Sequence, residues 1–171
     1  DVLDSIYWEP RESKKKIINY VKMASDWLVT RTQTHKSSGI PVPIWESTST
    51  DKYIIIGSYA ELSEYHHDKD VIFYNGETYK WCNMYFDHWF DSACMPYGSV
   101  SYPFKTTKME FMESLFPSLL GIEGVDQIYG WFFCTNVISD GLFNKAAFKN
   151  IITNGLVLNK GIKMSKSAKK D

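Results

Sequence analysis

The sequence predicts an α/β fold, built from a parallel sheet crossed by a helix together with a small antiparallel β insertion. Three observations predict it. From Phe116 onward a strand-like run, a Gly-containing turn, a helical stripe and a second apolar run follow one another, which is the grammar of a parallel sheet. In mid-chain, Asn75-Gly76 stands between Val71-Ile72-Phe73-Tyr74 and Thr78-Tyr79-Lys80-Trp81, a strong local signal for a two-residue hairpin. With 171 residues, 44% apolar content and 16% aromatic residues, the chain has one domain's worth of length and ample material for a packed core.

The elements follow in order. Pro10, then Arg11 to Lys16, then Ile17, Ile18, Val21 and Ala24 give a helix start with helical apolar spacing to about Ser25. The polar stretch Thr32 to Gly39 reads as a loop, after which Pro41 and Pro43 hold the chain extended. Tyr53-Ile54-Ile55-Ile56 reads as a buried-type strand, followed by a short helix around Tyr59 to Tyr65. Parallel strands with one intervening helix are expected from about Phe116 to Leu158, the helix carrying Ile128, Trp131, Phe132, Thr135, Ile138 and Leu142 on one stripe.

The formal net charge of -1 hides an asymmetry, since Lys160, Lys163, Lys166, Lys169 and Lys170 crowd the end of the chain. Such a local basic end can meet phosphate without the protein being basic overall. The three cysteines Cys82, Cys94 and Cys134 form no C-x-x-C pair, and their odd number without a secretory leader points to free thiols in a reducing, cytoplasmic compartment. No apolar run approaches the roughly 18 residues of a membrane helix. His35, His66, His67 and His88 show no ligand-like spacing with the cysteines, so no metal site, zinc included, is expected. His66-His67 reads as a solvated helix end.

Two segments carry chemistry. In an open α/β sheet ligands collect beyond the carboxyl ends of strands, so the turn Glu123-Gly124-Val125-Asp126-Gln127 is where a nucleotide should sit. Gly124 lets the backbone approach a ligand closely, Asp126 or Gln127 can hydrogen-bond ribose hydroxyls, and Glu123 can accept from an amino acid's ammonium group. The competing structural reading has Asp126 N-capping the helix and Glu123 ending a strand. In Lys163-Met164-Ser165-Lys166-Ser167, two ammonium groups separated by small hydroxyls after Gly161 suit a triphosphate whose charge shifts onto leaving pyrophosphate. The competing reading there is a solvated Lys-rich tail. Trp89 and Trp131, taken alone, read as plain core.

In order along the chain stand Ser25 to Arg31, Gly39 to Trp45, Asp87 to Tyr97, Gly121 to Phe133, Phe148 to Leu158 and Lys163 to Ser167. This ordered set resembles the isoleucyl-tRNA synthetases of eukaryotic type, within class I aminoacyl-tRNA synthetases, over essentially the whole chain. The resemblance implies the second half of a Rossmann-like catalytic domain. It implies ATP-dependent activation of isoleucine and transfer to tRNA(Ile), with ATP as substrate and Mg2+ accompanying it. Lys163 and Lys166 would stabilise pyrophosphate. Glu123, Gly124, Asp126 and Gln127, with Met164, Ser165 and Ser167, would bind ATP or the adenylate, and Trp89 and Trp131 would wall the amino-acid pocket. An apolar pocket separates isoleucine from valine by only about 1–3 kcal/mol, so a hydrolytic second sieve is expected in a parent enzyme. The valine, leucine and methionine enzymes are related alternatives.

The implied division is residues 1–30 as the exit segment of an editing insertion with a helix, 31–115 as the start of the distal catalytic half with the antiparallel insertion, and 116–171 as strand, helix and strand ending in the lysine loop. Within these residues there is no His-Ile-Gly-His element, so a fragment lacking the upstream half of the catalytic domain is expected, inactive in isolation. The other reading is a non-catalytic paralogue that binds an amino acid or RNA. The sequence also departs from the family at Thr32 to Ser38, at Ala93-Cys94 where Gly and a small hydroxyl are usual, and at Tyr129 where Arg is usual.

Overall fold

The computed structural model describes residues 2–32, 39–65, 70–159 and 161–163. A 3-10 turn Val2–Ser5 leads into strand β1 (Tyr7–Glu9) and helix α1 (Arg11–Met23). Strands β2 (Thr30–Thr32), β3 (Ile44–Ser47) and β4 (Tyr53–Ile55) precede helix α2 (Tyr59–Glu64). Strands β5 (Val71–Tyr74), β6 (Glu77–Trp81) and β7 (Met84–Phe86) follow. Helices α3 (His88–Ala93), α4 (Met95–Gly98) and α5 (Lys108–Glu110) and a π-helical turn Phe111–Leu115 lead to strand β8 (Ser118–Gly124). A 3-10 turn Val125–Tyr129, helix α6 (Trp131–Phe143), strand β9 (Phe148–Asn154) and the short strands β10 (Leu158–Asn159) and β11 (Ile162–Lys163) complete the order.

The chain forms two compact units, Asp1–Asp26 with Ser92–Asp171, and Trp27–Asp91. The sequence division at 30/31 and 115/116 separates segments by their place in a family, whereas these units separate by packing.

In the first unit, β1, β9 and β8 lie side by side in that order, all parallel, with Tyr7 and Leu120 both in register with Asn150. One face is sealed by Leu3, Trp8, Ile17, Ile128, Phe132, Phe148 and Ile151. The expected strand, helix and strand of this region are thus present and parallel. The helical stripe differs from the sequence reading. Ile128 belongs to the 3-10 turn before α6, Ile138 packs into a separate cluster with Tyr97, Phe111, Phe116 and Phe143, and Leu142 is 58% exposed.

The buried face of α6 is instead partly polar, and each polar group is satisfied locally. Thr135 Oγ1 donates to the Trp131 carbonyl (2.6 Å), Ser139 Oγ donates to the Lys145 carbonyl (2.5 Å), and Asn136 both donates to the Phe132 carbonyl (2.9 Å) and accepts from Ala147 N–H (3.0 Å). A buried polar side chain costs little once paired, which is why apolar periodicity alone misses this face. Helix α1 ends at Met23, slightly short of the expected Ser25, and Val21 is exposed. It is fastened to β9 by the buried Ser13 and Thr153 hydroxyls, 2.6 Å apart. On the other face of the sheet Tyr7, Leu120, Ile122 and Ile152 are exposed.

In the second unit, antiparallel strands run β4-β3-β6-β5, and β2 pairs with β7. The Asn75-Gly76 turn closes β5 and β6 as expected, with φ of 50° and 79°. Two consecutive left-handed residues are what the tight hairpin turn requires, and Asn and Gly tolerate that region best. Trp45, Ile56, Ile72 and Tyr79 form the core. The expected buried-type strand at Tyr53–Ile56 is corrected here. Strand β4 is an edge strand with Tyr53 64% and Ile55 58% exposed, because only one face of this sheet is packed.

Candidate functional site

Strands β8 and β9 run parallel and in register to their ends, Glu123 opposite Thr153 and Gly124 opposite Asn154. The Glu123-to-Gln127 turn and the stretch that runs on to Lys163 therefore leave the same carboxyl edge. From β8 the chain turns directly into the 3-10 turn Val125–Tyr129. From β9 it passes Gly155 into the antiparallel β10–β11 pair, in which Leu158 is opposite Lys163, and the intervening Gly161 has φ +80°. That value lies in the left-handed region that suits glycine. Lys163 thus ends the return strand of a hairpin beyond the carboxyl end of β9. Met164, Ser165, Lys166 and Ser167 lie outside the described residues, as do His35, His66, His67 and residues 33–38 of the departing loop.

Glu123 is exposed in the penultimate position of β8, an outer strand of the sheet. Asp126 is exposed within the 3-10 turn, and among the described residues no hydrogen bond or ion pair engages its carboxylate. It caps no helix. Helix α6 begins at Trp131, with Gly130 in the N-cap position, so the capping alternative for Asp126 does not hold. The side chain that reaches the start of α6 is Gln127, whose Oε1 accepts from Trp131 N–H at 3.4 Å. The backbone of Gly124 has φ -62° and ψ 151°, ordinary extended values.

Trp131 is half-buried. Its ring lies 5.4 Å from those of Phe132 and Phe148, and its Nε1 donates to the Ser92 carbonyl at 3.1 Å. Trp89 lies in α3, half-buried, with the His88 ring 5.3 Å away. Beside it, at the start of α3, is the buried carboxylate of Asp87. It accepts from Trp27 Nε1 (2.9 Å), pairs with the Arg31 guanidinium, and stands 3.3 Å from His88 Nδ1. Backbone bonds extend the clasp: Asp87 N–H donates to the Val29 carbonyl at 2.8 Å. Sequence reading did not single out Asp87, because its partners are distant in the chain and no local pattern joins them.

Of the departures, Ala93 is fully buried, Cys94 packs against the aromatic cluster, and Tyr129 meets Tyr20 of α1 edge-on at 5.2 Å. A hollow of about 500 Å³ lies in the second unit around Ile44, Glu46, Thr50 and Lys52, and none of the motif residues line it. Among the described residues, no group of three or more His, Cys, Asp or Glu gathers as metal ligands would. No described helix is long and apolar enough to cross a membrane.

The sequence matches the family described as tRNA synthetases class I (I, L, M and V) over residues 1–171. It is 38% identical, over 97% of its length, to the cytoplasmic isoleucine–tRNA ligase of Caenorhabditis elegans, covering 15% of that protein. It is 37% identical over 95% to the isoleucine–tRNA ligase of Chlamydia trachomatis serovar D, covering 16%. To the cytoplasmic mouse enzyme it is 36% identical over 97%, covering 14%. The chain therefore spans a small part of the length of these relatives. Among solved structures, the LeuRS of Agrobacterium radiobacter K84, in a ternary complex with tRNA and LeuAMS, shares the fold with a TM-score of 0.63 at 17% identity, over 90% of this chain and 23% of that one. With its parallel strands, its Glu123-to-Gln127 turn and its lysine motif all in family order, the chain belongs to the class I tRNA synthetases of the isoleucine, leucine, methionine and valine group.

Proposed function

We propose that this chain is part of the catalytic domain of an isoleucine–tRNA ligase, contributing one side of the site that forms isoleucyl-adenylate from isoleucine and ATP and passes it to tRNA(Ile). The observation that supports this reading is the departure of the Glu123-to-Gln127 turn and of the stretch leading to Lys163 from one carboxyl edge of a parallel pair, where α/β sheets collect nucleotides. The names and 36–38% identities of the relatives favour isoleucine among the four amino acids of the family.

On this reading Glu123 accepts from the ammonium of the amino acid, while Asp126 accepts from and Gln127 donates to the ribose. Gly124 adjoins the adenylate at the end of β8. Trp89 and Trp131 wall the branched side chain. Lys163 and Lys166, with Met164, Ser165 and Ser167 shaping their loop, meet the phosphates. ATP is the substrate, with Mg2+ accompanying it. The segments 1–30, 31–115 and 116–171 take the family roles inferred from sequence, and the setting is the cytoplasm.

Negative charge on pyrophosphate is greater near the transition state than in bound ATP, so a positioned ammonium accelerates the step more than it tightens binding. In the full-length protein, Lys166→Ala lowers isoleucine-dependent ATP–pyrophosphate exchange by about 10²–10³ with little change in ATP affinity. Lys166→Arg restores only part of this. Lys169→Ala changes little, and equal losses at Lys166 and Lys169 would show that the tail acts by bulk charge alone. Exchange driven by valine, leucine or methionine in place of isoleucine would reassign the substrate.

A further inference from the structure

We infer that Gly124 is a positioning residue that works through Asp126: it is glycine because the volume its β-carbon would fill is occupied by the Asp126 carboxylate. This rests on the ribose role proposed for Asp126. A β-carbon built on Gly124 would lie 2.6 Å from Asp126 Oδ1 and 3.8 Å from its Cγ. Real β-carbons do not come that near an oxygen, so one of the two must give way. The backbone is not the reason for the glycine, since φ -62° and ψ 151° suit any residue. Nor is packing. At Gly121 a β-carbon would press on the Phe132 and Phe148 rings, and at Gly39 it would meet the Phe86 carbonyl at 2.4 Å. At Gly124 it would meet the far end of an exposed, short side chain with no other commitment among the described residues.

The consequence is a division between fold and function. A methyl group at 124 displaces the carboxylate by rotation about χ1 and leaves the fold undisturbed, because the exposed Asp126 has room to turn. The carboxylate then no longer lies over the end of β8, where the chain leaves the sheet for the 3-10 turn. Gly124 thus holds an acceptor beside the strand end by leaving it space. This differs from admitting a ligand close to its own backbone, which predicts a direct effect of any added methyl.

The experiment is a double-mutant cycle in the full-length protein, read by pyrophosphate exchange with ATP, 2′-deoxyATP and 3′-deoxyATP. Gly124→Ala raises the KM for ATP about ten-fold, the size of one lost hydrogen bond to a charged group. It leaves the isoleucine KM and the melting temperature unchanged, and it shrinks the preference for ATP over whichever deoxy analogue lacks the hydroxyl that donates to Asp126. Asp126→Ala has the same effects, and Gly124→Ala adds less than two-fold to it. Multiplying effects in the double variant would overturn the inference and leave the ribose role of Asp126 standing. So would a fall in melting temperature for Gly124→Ala alone. An Asp126→Ala variant with an unaltered ATP KM and unaltered discrimination would remove the ribose role, and the inference with it.

Discussion

Phe132→Ala tests the packing on which the parallel pair depends. The ring is fully buried between sheet and helix, edge-on to Trp8 at 6.1 Å and 72° and to Phe148 at 6.0 Å and 88°, with Trp131 5.4 Å away. Removing a buried phenyl ring costs about 3–5 kcal/mol, and three aromatic neighbours put this site toward the upper end. In a chain of this size each kcal/mol moves the melting temperature by about 2–4 °C, so a fall of about 6–20 °C is expected.

The same contact supplies an internal control. A β-carbon at Gly121 would lie 3.1 Å from Phe132 Cε1 and equally close to the Phe148 ring, so Gly121→Ala alone overpacks and costs about 1–3 kcal/mol. With Phe132 reduced to alanine that cost should fall, giving a non-additive pair. Thermal and urea unfolding of the two single variants and the double variant measure this. An unchanged melting temperature for Phe132→Ala, or strict additivity with Gly121→Ala, would refute the packing of α6 on β8.

Two further outcomes follow from the remainder of the molecule. Glu77 is held down to about 2, chiefly by the hydrogen bond from the Lys52 ammonium (2.7 Å) and with help from the Thr50, Ser47 and Tyr79 hydroxyls against desolvation. A depressed carboxyl contributes stability that is complete above its unfolded value of 4.5 and is lost as pH falls toward 2. Tryptophan fluorescence from Trp45 and Trp81 should therefore report a loss of the hairpin sheet across pH 4.5 to 2 that Glu77→Gln flattens, and identical acid profiles would exclude the clamp. The exposed sheet face bearing Leu120, Ile122 and Ile152 should drive concentration-dependent association of the 171-residue chain, since parallel sheets are normally covered on both faces. Ile122→Lys should reduce the light scattering, and a monomer at every concentration before substitution would contradict this.

Local signals in the sequence were informative where a single segment determines its own conformation. Asn75-Gly76 specifies its turn through two left-handed residues, and the apolar runs around Ile122 and Ile151 specify strands through their composition. What escaped are features made by residues distant in the chain. The pairing of β1 with β9 joins Tyr7 to Asn150. The cluster of Tyr97, Phe111, Phe116 and Phe143 draws on four segments with no shared period. The buried Thr135, Asn136 and Ser139 look like a polar stripe until their carbonyl partners are known. At the site, the motifs identified candidate residues, but the relation of Gly124 to Asp126 is a matter of volume that no residue pattern states.

The clasp at Asp87 has a consequence for how the Trp27–Asp91 unit can vary. Trp27, Val29 and Arg31 at its entry are tied to Asp87 at its exit, so its two ends are closed on each other from within. The entropy of closing a loop rises only slowly with its length, and here the closure is made by the unit's own hydrogen bonds whatever lies between. Residues can then be added to or removed from its interior, as in the tip of a hairpin, without changing the spacing at which the chain enters and leaves. Units with adjoining ends are the ones most readily inserted into other chains, and the Trp27–Asp91 unit meets that requirement through a single buried carboxylate.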